Sequence, residues 1–166
     1  MSAKGNGYRR FARPDAELRR LMTLVALSRD GDRADSEDGL LTAALTQMSG
    51  VLPGHAIAIA RYDDGEVSVP SRFVRGRLPV ELARLLAALA IDRGEAVERQ
   101  EEGGEMLAMP LLGSRGPSGA LIASSARGPI ADADHAMLEA MASQLGLTVD
   151  NLRLRRQLDR LLFRGH

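Results

Sequence analysis

Three short stretches of this chain are apolar at every position. Ile57–Ala60 reads Ile-Ala-Ile-Ala, Leu107–Leu112 reads Leu-Ala-Met-Pro-Leu-Leu, and Ala120–Ala123 reads Ala-Leu-Ile-Ala. Turn residues bound them: Asp63-Asp64-Gly65 follows the first, and Gly-Ser-Arg-Gly-Pro-Ser joins the other two. Short apolar runs joined by such turns are strands of hairpins, so the sheet is mainly antiparallel. An antiparallel sheet with one wet face alternates apolar and polar residues. These strands do not alternate, so both faces of the sheet must be covered. The class is α+β, with helices on either side of a central antiparallel sheet.

The remaining segments supply those helices. Residues 1–14 lack periodicity and read as a flexible lead-in. From Pro14-Asp15 onward Leu18, Leu21, Leu24 and Val25 fall on one helical stripe. Asp30 and Asp32 in the following loop hint at a calcium loop, but its sixth and twelfth places hold Asp35 and Leu41 rather than Gly and Glu. Ser36 caps a second helix carrying Leu41, Ala44, Leu45 and Met48. After strands at His55–Tyr62 and Glu66–Pro70, Pro79 starts a helix that places Leu82, Leu85, Leu86 and Leu89 on one face. A short extended piece, Ala96–Arg99, precedes strands at Glu105–Leu112 and Gly119–Ser125, and a long helix runs from Asp132 to about Phe163. The first, second and last helices cover one side of the sheet, the Leu82–Leu89 helix the other. Residues 15–163 thus form one domain, terminal helices included.

Composition narrows the function. Cysteine is absent, which removes disulfides, thiolate nucleophiles, zinc ribbons and iron–sulfur clusters together. Twenty-two acidic side chains balance 22 basic ones, so no surplus of charge draws the chain to nucleic acid. No apolar run is long enough to span a membrane, and the charged N-terminus is not a signal peptide, which places the chain in the cytoplasm. Three histidines far apart give no metal-ligand spacing, and no Ser/His/Asp order stands out, so the expectation is a protein without catalysis, metal or cofactor.

Two groups of residues carry chemistry. Arg72, Arg75 and Arg77 cluster before a helix start, with Arg61 on the neighbouring strand, and guanidinium forks there suit an anion. Tyr62 and Phe73, two of only five aromatic residues, could wall such a pocket. Against this stands the plainer reading of solvated loop arginines. Near the C-terminus Leu147, Asn151, Leu154, Leu158 and Leu161 form a heptad seam flanked by Arg153, Arg155, Arg156, Asp159 and Arg160. Leu138, Met141 and Leu145 begin on a wider stripe suited to the sheet. A helix that packs on its own domain and then carries a narrow seam meets another helix. Asn151 between leucine layers favours a parallel pair in fixed register. Leu18, Leu21 and Val25 would join a bundle of terminal helices, or instead cover the seam within one chain.

The order of these segments resembles the GAF domain, a small-molecule-sensing relative of PAS domains. The resemblance rests on Gly39–Gly65 (helix, strand, hairpin), on Met106–Ser125 with its Pro110-Leu111 and Gly119 strand pair, and on Asp132–Leu158 as closing helix with Gln144-Leu145-Gly146 and Asp150-Asn151-Leu152-Arg153. It implies a sheet of five or six antiparallel strands between helical layers, frequent dimerisation, and a ligand pocket between the sheet and the Pro79–Asp92 helix. The cyclic-nucleotide signature of that family is absent here. Bilin attachment and methionine sulfoxide reduction in it use cysteines, which this chain lacks. The sequence therefore reads as a non-catalytic sensory module that binds a small, anionic ligand and signals through a homodimeric terminal bundle to a separate signalling protein. The alternative is a ligand-free scaffold of the same fold, its pocket filled by side chains, that binds partner proteins.

Overall fold

The computed structural model describes residues 36–164. The stripe of Leu18, Leu21 and Val25 lies outside the described residues. The elements are α1 (Glu37–Val51), β1 (His55–Asp63), β2 (Glu66–Ser68), a 3-10 turn (Ser71–Phe73), β3 (Val74–Arg75), α2 (Val80–Arg93), β4 (Val97–Glu101), β5 (Gly104–Gly113), β6 (Gly116–Ser125) and α3 (Asp132–Arg164). All strand pairs are antiparallel, in the order β2-β1-β6-β5-β4, and β3 also pairs with β1. The mixed α+β class and the six-stranded sheet are as the sequence predicts.

Local chemistry sets the boundaries. Ser36 Oγ accepts the Gly39 N–H at 3.1 Å and caps α1. Asp64 and Gly65 both have positive φ, 52° and 80°, which is the two-residue turn whose twist matches a hairpin. Gly94, in the left-handed region, closes α2 with its N–H on Ala90 O at 2.8 Å.

Both faces of the sheet are dry, and each has its own core. Ile57, Ile59, Leu107, Met109, Leu111, Leu121 and Ala123 point to one face, beneath α1 and α3. Ala58, Ala60, Met106, Ala108, Ala120 and Ile122 point to the other, beneath α2. The register alternates accordingly: Ile57↔Ala123 and Ile59↔Leu121 on one side, Ala58↔Ile122 and Ala60↔Ala120 on the other.

The α2 helix departs from the sequence expectation. Its buried side is Ala83, Leu86, Ala87, Ala90 and Ile91, while Leu85 and Leu89 face solvent and Leu82 is half-buried. The sheet beneath is itself lined with alanine, and small residues on both layers bring helix and strands close. The faces with the best steric fit meet, and Leu85 and Leu89 are turned outward.

Helix α3 lies across the first core, burying Met137, Leu138, Met141, Ala142, Leu145, Val149 and Leu152. Gly146 makes this approach close: a Cβ there would overlap the backbone of Leu112. With 33 residues α3 is about 50 Å long, and from Arg155 onward its side chains are exposed.

Candidate functional site

The predicted anion residues divide between the two faces of the sheet. Arg61 shares the parity of Ile57 and Ile59 and lies on the α1/α3 side, whereas Tyr62 packs against the α2 core. Adjacent strand residues point to opposite faces, so these two cannot line one pocket. Phe73 is wholly buried in the α1/α3 core. Arg75 donates to the carbonyls of Arg72 at 2.9 Å and Val74 at 3.2 Å. Arg77 is exposed.

Two of the arginines already have anions, supplied by the protein. Glu37, the first residue of α1, is 8% exposed and sits on the stripe of Leu40, Leu41 and Ala44. Its Oε1 accepts from Arg153 Nη2 at 2.7 Å and from Arg61 Nη2 at 3.3 Å, and its Oε2 from Arg153 Nε at 3.2 Å. Arg61 Nη1 also reaches Asp38 Oδ1 at 2.7 Å, and its Nε lies 3.5 Å from Asp63. Arg72 Nη2 is 3.1 Å from Asp38 Oδ2, with its guanidinium 4.7 Å from the Phe73 ring centroid. Three guanidinium groups thus meet three carboxylates with no net charge. The Glu37 carboxylate raises the pKa of Arg153, so that charge is fixed at any physiological pH.

Glu37 and Arg153, 116 residues apart, form a pair the sequence reading did not single out. A signal was present in each half. Arg153 continues the buried stripe Leu145–Val149, and Glu37 precedes Leu41 by one helical turn. A charge on a buried stripe calls for a partner.

The pocket expected between the sheet and α2 is closed over its middle. Ala58, Ala60, Ala83, Ala87, Ala90, Ala108, Ala120 and Ile122 expose no surface at all, so no water-sized void opens among them. Concavities occur elsewhere. One of ≈ 240 Å³ lies where the β5–β6 turn meets α3, lined by Arg115, Pro117, Gly146, Asp150, Arg153 and Leu154. Asp150 Oδ2 accepts there from both Ser114 Oγ at 2.7 Å and Ser114 N at 3.2 Å, which lowers its pKa. Another of ≈ 250 Å³ is lined by Glu95, Met109, Pro110, Leu112 and Glu139. Neither receives a side chain from Arg61–Arg77.

Among the described residues both histidines lie beside carboxylates: His135 Nε2 is 2.9 Å from Glu98 and His55 Nε2 3.8 Å from Asp134. Among the described residues no cluster of His, Asp and Glu is arranged to hold a metal, and no helix is long and apolar enough to cross a membrane.

The seam residues, Leu154 excepted, face away from the domain. Leu147, Leu158 and Leu161 are 55%, 58% and 66% exposed, Asn151 is exposed and Leu154 half-buried. Leu162 and Phe163 add further apolar surface at 68% and 83%.

This architecture is that of GAF domains. The chain is similar to the GAF domain of a protein described as a sensor histidine kinase from Pseudomonas syringae pv. tomato, with TM-score 0.66 and 19% identity over 89% of this chain and 98% of that one. It is also similar to the free methionine-R-sulfoxide reductase of Neisseria meningitidis, solved with its substrate (TM-score 0.68, 15% identity, 85% of this chain and 93% of that one). A third is the phycoerythrobilin-bound GAF domain of a cyanobacterial phytochrome (TM-score 0.65, 11% identity, 84% and 99%). No family model matches the sequence, and no curated protein matches it. At these identities the shared property is the fold, which sensors and enzymes both use.

Proposed function

We propose that this chain is a non-catalytic regulatory module of GAF fold, acting in the cytoplasm, whose output is the parallel pairing of two copies along the exposed face of α3. The observation that carries the reading is the row Leu147, Asn151, Leu154, Leu158 and Leu161 on a helix whose last buried residue is Leu152. Apolar surface of this extent is costly to leave in water, and a heptad row of leucines is the surface a second such helix covers. In this reading Leu18, Leu21 and Val25 join the same interface, and a separate signalling protein reads the state of the pair.

The closed α2 face favours the scaffold form of this module over one with a ligand buried against the sheet. A small anion, in the ligand-binding form, is held at the surface by Arg72, Arg75 and Arg77. The reductase among the similar structures is an enzyme, but a chain without cysteine has no thiol to oxidise.

The lack of cysteine also makes the test clean. Leu161→Cys puts the only thiol in the chain on the seam, where parallel in-register helices bring two Cα atoms within about 6 Å. Oxidation is expected to give a covalent dimer, and Leu158→Asp to give a monomer with an unchanged fold. A wild-type protein that stays monomeric in sedimentation at all concentrations overturns the reading.

A further inference from the structure

The segment Ser71–Arg75 touches both cores of the molecule. Phe73 is buried beneath α1 and α3, and the adjacent Val74 packs against the core beneath α2. Its backbone is pinned to the edge of β1, with Val74 opposite Ala58 and Arg75 opposite Ile57. A displacement of α2 or of the loop that precedes it therefore acts on the same short strap that anchors in the opposite core.

From this strap a continuous path of charges leads to the exit of α3. Arg72 contacts Asp38 at 3.1 Å, Asp38 contacts Arg61 at 2.7 Å, Arg61 contacts Glu37 at 3.3 Å, and Glu37 holds Arg153 at 2.7 Å. Arg153 immediately follows Leu152, the last buried residue of the helix. The inner end of the path is stiff, because the Glu37 side chain is 10% exposed and serves two guanidinium groups at once. At the outer end the side chains of Arg72 and Asp38 are 55% and 49% exposed, so that link is weak and open to outside influence.

We propose that this network couples the Ser71–Arg75 strap to the exit turn of α3, so that the state of the α2 face sets how firmly that turn is held. An anion that draws Arg72 away from Asp38, or a partner that shifts the strap, loosens the last anchored turn of the helix. As regulation of pairing the idea rests on the function proposed above; the coupling itself needs no second copy.

Amide hydrogen exchange on the full chain separates the two. Arg72→Gln lies outside both cores and is expected to speed exchange of the amides at 150–157 about two- to five-fold, the range an exposed ion pair supports. Amides at 137–145 should not change, Arg72→Lys should restore the wild-type rate, and Asp38→Asn should reproduce the effect of Arg72→Gln. In an Arg153→Gln background the Arg72→Gln increment should vanish, because the path is already cut. Unchanged exchange at 150–157 in both Arg72→Gln and Asp38→Asn, or an equal increment with and without Arg153, overturns the coupling. Coupling in a strictly monomeric protein would overturn the pairing and leave the coupling standing.

Discussion

Asp150 takes two hydrogen bonds from one residue, Ser114, across the junction of the β5–β6 turn and α3. Those donors favour its charged form and hold its pKa below the ordinary 3.8. A folded-state pKa below the unfolded one contributes stability that is present above the unfolded value and disappears as pH falls through the folded one. The wild-type protein should therefore lose this contribution from pH ~4 downward. Ser114→Ala should lower stability at neutral pH and flatten the acid limb, as chemical denaturation at a series of pH values will report. Single residues were the scale least legible in the sequence. The arginines of the 61–77 region stand out as charge. Which carboxylates neutralise two of them depends on Glu37 and Asp38 being brought beside β1 by the packing of α1, and no local spacing announces that. The division of Arg61 from Tyr62, by contrast, follows from the two-residue period of any strand and was there to be read.

At the scale of elements, the strands were legible and the orientation of α2 was not. Strand signals are strong here because each apolar run is short, unbroken and bounded by turn residues. For α2, the four leucines predict a face of their own, yet Leu85 and Leu89 are left in solvent and the side carrying Ala83, Ala87 and Ala90 beside Leu86 and Ile91 is the one that fits an alanine-lined sheet. Hydropathy ranks the gain from burial; steric fit decides which gain is realised. Two substitutions separate these effects. Leu85→Gln, on the exposed face, should change stability by less than about 0.5 kcal/mol. Ala87→Leu, which adds hydrophobicity to the buried side, should destabilise by about 1–3 kcal/mol through overpacking. Thermal or urea unfolding of the two variants gives the comparison directly, and the more hydrophobic one is expected to be the weaker.

For the whole molecule, the division of labour along α3 is the organising fact: its first turns, about six of them, complete a core, and the rest projects. The heptad spacing made that division readable, since the wide stripe and the narrow seam have different widths before any contact is known. Removing the residues after 155 should therefore leave a folded domain whose Tm no longer rises with protein concentration, whereas that of the intact chain should, as pairing requires. The clamp of Glu37 on Arg153 could not be foreseen as a pair, because it joins the start of the described domain to its end. Where two layers meet largely through alanine, most side chains can be trimmed no further except to glycine, so single shortenings can open space mainly around Leu86, Ile91, Met106 and Ile122. A descendant or engineered relative that housed a guest among the alanines would have to lift the helix away from the strands there, a concerted rearrangement rather than a gradual excavation.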